Sequence, residues 1–167
     1  MTEPTASERP NSRRRVRLHA TLAAVLIALL ATSLVVSRRS TNRVDPTAIA
    51  VGKQEAINFF TLDAPHLSAD VNAVLALAAD PFKQQYAAKS KTIESGVTSR
   101  HLTISASVPA NSAGLEYEHG PTAIVLVAVD ESIAAPSAKP QSNRYRMRLH
   151  LTKVSGNWRV TNIQQVG

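Results

Sequence analysis

The sequence predicts an α+β domain that follows one membrane-spanning helix. The first observation is an apolar run of nineteen residues, Leu18 to Val36, which contains no Asp, Glu, Lys or Arg. The second is that apolar residues between Pro46 and Gly96 recur at three- to four-residue spacing. The third is that this spacing falls to two after Gly96. Helices that precede antiparallel strands are typical of the α+β class.

Composition excludes several classes of function. The chain has 167 residues and no cysteine, which excludes a disulfide scaffold, a thiolate nucleophile and a Cys-ligated metal. Eight arginines and two glutamates give residues 1–43 a net charge of +6, out of +7 for the whole chain. The remaining residues are almost neutral, so duplex binding lacks its electrostatic basis. We therefore predict no nucleic-acid partner, no metal and no cofactor.

The apolar run has the length of a membrane span. At a rise of about 1.5 Å per residue it extends about 28 Å, close to the hydrocarbon thickness of a bilayer. More arginines precede the run than follow it, which predicts a cytoplasmic N-terminus at the plasma membrane. The predicted organisation is a basic tail over 1–17, a transmembrane helix over 18–37, a linker over 38–45 and an extracytoplasmic domain over 46–167.

This segment has one alternative assignment, and it also carries a helix-contact pattern. A cleaved signal peptide would use the small residues Ala31-Thr32-Ser33, although Leu34 to Val36 continue the apolar run beyond them. Small residues four apart also form a stripe that would let two membrane helices approach closely, unless they reflect only the abundance of Ala in membranes. The residues of this stripe are Ala20, Ala24, Ala28 and Thr32.

Three helices are predicted in the first half of the domain. Asp45-Pro46 and Asp80-Pro81 each place a capping carboxylate before a proline at the first helical position. The helices are expected over 46–61, from about residue 65, and from 81 to the glycine at 96. The first two carry apolar stripes, Ile49, Lys53, Ala56, Ile57 and Phe60 on one and Leu67, Val71, Val74, Leu75 and Ala78 on the other.

About four strands are predicted in the second half, over 101–108, 122–130 and 143–154 and from Trp158 onward. Ser155-Gly156-Asn157 is a hairpin signal between the last two. The third strand alternates most regularly. Its apolar set is Tyr145, Met147, Leu149 and Leu151, and its opposite set is Arg144, Arg146, Arg148 and His150.

The order and residues of these segments resemble the Mce-associated membrane proteins of actinobacteria. The segments that carry the resemblance are FFTLDAPHLSAD, DPFKQQY, AIVLVAVD and SNRYRMRLHLTKVSGNWRVTNI. The resemblance implies an outer domain of the nuclear-transport-factor-2-like (SnoaL-like) fold and an accessory subunit of an Mce lipid or sterol transport system. Asp80-Pro81 departs from the Thr/Ser-Gly that this family carries there. The resemblance implies no catalytic residue.

The same cone-shaped fold also hosts enzymes, so candidate residues for chemistry were considered. They are His66, Asp70, Tyr86, His101, Asp130 and His150. His66 and Asp70 lie four apart and would share a helix face, which is also the arrangement of a helix-start histidine beside its own acid. No motif of a hydrolase, zinc protease or nucleotide-binding loop occurs. The prediction is that the protein is not an enzyme.

Three function hypotheses follow. The leading one is a membrane-anchored scaffold subunit of an Mce-type transport complex, and the others are a small-ligand-binding or isomerase-type cone protein and an assembly factor of a secretion machine. The row formed by Arg144, Arg146 and Arg148 would contact an acidic partner or lipid headgroups, unless it is only a solvated face. The predicted partners are the bilayer and other envelope proteins, and homo-oligomer formation stays open.

Overall fold

The computed structural model describes residues 45–167, which form the predicted α+β arrangement of helices followed by a curved antiparallel sheet. The helices are α1 (Pro46–Phe59), α2 (Leu67–Leu77) and α3 (Phe82–Arg100). The strands are β1 (Leu62–Asp63), β2 (Thr103–Ser107), β3 (Ala113–His119), β4 (Thr122–Ala135), β5 (Ala138–Val154) and β6 (Asn157–Gln165).

The predicted membrane helix over 18–37, its small-residue stripe Ala20, Ala24, Ala28 and Thr32, and most of the linker lie outside the described residues. Within residues 45–167, no helix combines the length and the apolar character that a membrane span requires.

Helix α1 begins as predicted but buries a different face. Asp45 caps it, because Oδ1 accepts a hydrogen bond from the backbone N of Thr47 at 3.0 Å, and Pro46 occupies the first turn. The predicted stripe through Ile49, Lys53 and Ile57 is only half-buried. The buried face is formed by Ala48, Gly52, Glu55 and Ala56, so Ala56 is the one member of the predicted stripe that is fully buried.

Helices α2 and α3 differ from the prediction at their ends. Helix α2 begins at Leu67 and not near residue 65, and its N-cap residue His66 makes no capping hydrogen bond with its side chain. Asp80 also caps no helix, since its Oδ2 accepts a hydrogen bond from Gln84 Nε2 at 2.8 Å and Pro81 is the N-cap of α3. Helix α3 continues past Gly96 to Arg100 and ends on His101 in the left-handed conformation.

The prediction of about four strands was wrong, since the described sheet has six. Its hydrogen-bonded order is β1-β2-β4-β5-β6, and β3 pairs with β4 beside β2. Strand β1 has only two residues, and β3 contains Gly114 and a bulge between Leu115 and Tyr117. The bulge interrupts the alternation by which a strand is identified in a sequence.

The hairpins of the sheet follow local sequence signals. Strands β5 and β6 join through Ser155 and Gly156, both with positive φ, as the sequence predicted. Strands β4 and β5 form a longer hairpin that extends past β6, because β6 pairs with β5 only from Met147 onward.

The two faces of the sheet have different roles. Alternate residues of β4 and β5 point to the helices and are buried, among them Val125, Val127, Leu149 and Leu151. They form one core with residues of all three helices. The opposite face, called the outer face below, carries Leu126, Ala128 and the arginines of β5. The alternation predicted for β5 is therefore confirmed.

Candidate functional site

The outer face places the three predicted arginines in one row, but two of them are paired. Arg144 forms a two-point ion pair with Asp130, its cross-strand partner on β4, with Nη2 2.9 Å from Oδ2. Arg148 does the same with Glu116 of β3, both contacts being 2.8 Å. The guanidinium of Arg144 also holds the pKa of the Asp130 carboxyl below its usual range.

Arg146 lies between these pairs and is exposed. It forms no ion pair with any residue in the range 45–167. Its cross-strand partner is Ala128, which has no charge to offer. The predicted cationic row therefore presents one unpaired guanidinium, with a local net charge of +1 over the five charged groups.

A depression of about 350 Å³ adjoins this arginine. We call it the Arg146 groove and define it by Gly114, Leu126, Ala128 and Arg146. Gly114 lies opposite Leu126, and a Cβ added at Gly114 would meet no atom within 4 Å, so the groove stays open there. The backbone N of Val166 donates to the carbonyl of Arg146 at 2.8 Å, so the end of β6 borders it.

Exposed apolar side chains lie on the same face. Leu126 is 37% exposed and Tyr117 is 50% exposed. Tyr117 pairs with Ile124 on the outer side of the sheet, two residues before Leu126 along β4. The outer face therefore combines two exposed apolar side chains with the unpaired Arg146.

Two of the candidate residues for catalysis, His66 and Asp70, contact the same neighbour, Asp63. His66 contacts Asp63, with Nδ1 2.9 Å from Oδ2, and not Asp70. The carboxylate of Asp70 accepts a hydrogen bond from the backbone N of Asp63 at 2.8 Å. His101 ends α3, and His150 lies on the outer face of β5. Within residues 45–167, no hydrogen bond or ion pair joins two of these histidines.

Glu55 is a buried titratable group that the sequence pattern did not predict. It is 0% exposed on the sheet-facing side of α1, and neither carboxylate oxygen has a hydrogen-bond partner in the described structure. Burial raises the pKa of Glu55 to about 8, with the side chain of Asn58 acting in the opposite direction. Its spacing from Ala48 and Gly52 places it on their face and could have indicated this burial.

Tyr86 extends the same buried region. It is 5% exposed, and its hydroxyl also lacks a partner in the described part of the chain. Burial, followed by the nearby charge of Glu55, raises the pKa of Tyr86 to about 12. Its ring contacts those of Phe59 and Phe82, with centroids 5.9 and 5.8 Å away. A protonated acid in this setting is competent for proton transfer, but no substrate can reach a fully buried carboxyl.

Neither a metal centre nor a described cavity coincides with these residues. Among residues 45–167, no group of three His, Asp or Glu side chains is placed to hold a metal ion. Three depressions lie on the described surface. One borders the β4–β5 hairpin, the second is the Arg146 groove, and the third lies on the exposed side of α1. Glu55 and Tyr86 line none of these three.

Comparison with known proteins identifies the family. Residues 16–167 match the family described as "Uncharacterized protein Rv1363c/MT1408-like". This chain belongs to the Rv1363c/MT1408-like family. No curated protein matches the sequence.

Solved structures share the fold of this family member at low identity. An IcmL-like type IV secretion system protein of Legionella pneumophila is 12% identical with a TM-score of 0.61, over 74% of this chain and 92% of that one. The periplasmic domain of DotI is 13% identical with a TM-score of 0.61, over 76% and 98%. The VirB8 protein of Agrobacterium tumefaciens is 11% identical with a TM-score of 0.56, over 70% and 88%. These likenesses show the fold.

Proposed function

We propose that this protein is a membrane-anchored assembly subunit of a multiprotein machine in the cell envelope. The observation that carries the proposal is the fold shared with type IV secretion components, whose compared chains are matched over 88% or more of their length. The apolar run Leu18 to Val36 would hold the domain at the membrane, with the domain on the extracytoplasmic side. Confinement to the membrane plane raises the effective concentration of the domain near a membrane-bound partner.

The outer face is the proposed contact surface. It exposes Leu126 and Tyr117, and Arg146 is the one of the three β5 arginines that has no ion pair among the described residues. This arrangement would combine an apolar contact with one directional ion pair. We propose no catalytic activity, since the acid Glu55 is buried in the core and the contact of His66 is with Asp63 rather than with Asp70.

A second candidate is the accessory subunit of an Mce-type lipid or sterol transport complex. The four sequence segments that resemble the Mce-associated proteins favour it. The two candidates share anchor, location and mechanism, and they differ in the proteins that the domain would contact.

Photocrosslinking in membranes of the native host tests the proposal. A photoreactive phenylalanine analogue replaces Tyr117 in the full chain, and the matched control replaces exposed Lys91 on α3. We expect an adduct with another envelope protein from position 117 and at most a trace from position 91. Mass spectrometry of the adduct separates secretion components from Mce components. Recovery of the chain without any adduct, or equal adducts from both positions, would contradict the proposal.

A further inference from the structure

We propose that the Arg146 groove binds an acidic side chain of a partner protein together with a neighbouring apolar side chain of that partner. This inference rests on the proposed function, because it names the chemistry by which the outer face would recognise a partner. The proposed occupant is a protein and not a lipid surface. One unpaired arginine and a small apolar depression suit a pair of side chains.

The row of arginines on β5 contains one member that has no ion pair among the described residues. Three guanidinium groups project from alternate positions of β5, and each outer one receives a carboxylate from the neighbouring strands. The middle position faces Ala128, so no acid of β4 reaches it. A guanidinium fork is well matched to a carboxylate and binds it at two points. The row therefore lacks one carboxylate, at Arg146.

The local charge limits the partner to a single carboxylate. Asp130 and Glu116 neutralise Arg144 and Arg148, which leaves +1 in this region. Attraction to an anionic membrane relies on clusters of several unneutralised basic residues. A lipid surface would therefore meet one unneutralised cation in this row, whereas a single acidic side chain needs only the one guanidinium of Arg146.

The shape of the groove supplies the apolar half of the recognition. Leu126 and Ala128 form its floor, and the absent side chain of Gly114 keeps it open. Its volume of about 350 Å³ lies near the lower end of the range for binding pockets. An apolar side chain on Leu126 would exclude water from the edge of the ion pair and strengthen it.

A titration with short peptides tests the chemistry directly. The probe is N-acetyl-leucyl-glutamate amide, and the matched control is N-acetyl-leucyl-glutamine amide, which has the same shape without the charge. Both are added to the ¹⁵N-labelled full chain in detergent micelles. We expect the acidic peptide to shift the amide resonances of Leu126, Ala128 and Arg146, with about fivefold weaker binding of the neutral peptide. Equal binding of both peptides, or equal shifts with acetate alone, would overturn the inference.

Two variants test the role of Arg146 in membranes. Arg146→Gln removes the unpaired charge. The double variant Asp130→Asn/Arg144→Gln removes a neighbouring ion pair and leaves the local charge at +1. Each is combined with the photocrosslinker at position 117, and the spectrum of each variant first establishes that it is folded. We expect Arg146→Gln to lower the yield of the partner adduct about fivefold and the double variant to leave it within twofold.

The outcomes separate this inference from the proposed function. An adduct with an envelope protein that persists in Arg146→Gln refutes the groove and leaves the assembly role intact. Loss of the adduct in both variants also refutes the groove, because it would then depend on the face and not on the unpaired arginine. An adduct of two copies of this chain, or Arg146-dependent binding to phosphatidylglycerol vesicles without a protein adduct, identifies a different occupant and refutes it as well. Absence of any adduct in the parent chain contradicts the proposed function, while the peptide titration still decides the groove.

Discussion

The indole Nε1 of Trp158 donates a hydrogen bond to Oδ2 of Asp45 at 2.9 Å, across 113 positions of sequence. The same carboxylate caps α1 and lies 3.3 Å from Lys153 Nζ, and the ammonium of Lys153 lies 4.6 Å from the centre of the Trp158 ring. One carboxylate thus joins the start of the first helix to the last hairpin of the sheet.

Loss of this carboxylate should destabilise the domain. Asp45→Ala removes the helix cap and leaves the buried indole N–H without its partner, so we expect a loss of about 2–3 kcal/mol. Thermal unfolding of the full chain followed by circular dichroism measures it. In a double-mutant cycle with Trp158→Phe, the interaction energy should be about 1 kcal/mol or more. Additive effects of the two substitutions would show that the hydrogen bond contributes nothing.

Protonation of the same carboxylate should lower the stability of the domain at acidic pH. Hydrogen bonds from Thr47 and Trp158 lower the pKa of Asp45 well below its ordinary value of 3.8. Its contribution is present above that ordinary value and is lost as the pH falls through the lower folded-state value. We expect Asp45→Asn to reduce the loss of stability between pH 4 and pH 2. If Asp45→Asn loses as much stability between pH 4 and pH 2 as the parent chain does, other carboxyls cause that loss.

Ionisation of Glu55 should lower the stability of the domain as the pH rises, which is the opposite of the effect of Asp45. Its pKa rises from 4.5 in the unfolded chain to about 8 in the folded domain, because burial disfavours the charged form. Its contribution is full below pH 4.5 and decreases as the pH rises toward 8, by about 4–5 kcal/mol in total. Glu55→Gln should flatten this decline, as measured by the fluorescence of the single tryptophan during unfolding from pH 4 to 9. Glu94→Gln, at a partly exposed site on α3, is the control and should retain the decline.

Two glycine substitutions should have opposite signs. A Cβ at Gly52 would lie 2.9 Å from Cγ1 and 3.0 Å from Cβ of Val125, so Gly52→Ala forces α1 away from β4. We expect a loss of about 1–3 kcal/mol, which exceeds the helix-propensity gain of about 1 kcal/mol. Gly96→Ala meets nothing within 4 Å in the interior of α3 and should stabilise by about 0.5–1 kcal/mol. Chemical denaturation of both variants checks the pair, and a stabilised Gly52→Ala would show that α1 can shift at little cost.

The Tyr86 hydroxyl should contribute little to stability. Because it is buried without a partner, Tyr86→Phe removes an unsatisfied group and is expected to be neutral or stabilising by up to about 1 kcal/mol. Tyr86→Ala instead leaves a cavity against Phe59 and Phe82, with a loss of about 3–5 kcal/mol. Thermal unfolding distinguishes the two. A large loss in Tyr86→Phe would indicate that the hydroxyl has a partner in solution.

Sequence reasoning succeeded where a local pattern determines the structure. The Asp45-Pro46 cap, the Ser155-Gly156 turn and the two faces of β5 depend on neighbouring residues and were all predicted. It failed where distant pairing decides, and also at the local Asp80-Pro81 signal, where Asp80 caps no helix. Strand β3 is defined by its pairing with β4, and its bulge hides the alternation. The last turn of α3 depends on buried Val97, which continues the helix beyond Gly96.

The candidate site was predicted only in part, for the same reason. The three arginines of the outer face could be located from alternation alone. Which of them is neutralised depends on the register that brings Asp130 and Glu116 beside them, and a single sequence does not supply that register. Glu55 was missed because a glutamate in an amphipathic helix is ordinarily exposed, and here small residues bring its face against the sheet.

On the side away from β4, the part of β5 upstream of Arg146 has no described neighbouring strand, because β6 pairs with β5 only from Met147 onward. Such an edge can recruit an extended segment of another molecule and start aggregation. Two residues oppose this: Pro140 has no N–H to donate, and Lys139 would carry its charge into any strand that paired there. The hairpin can therefore project from the domain while disfavouring intermolecular β-sheet growth.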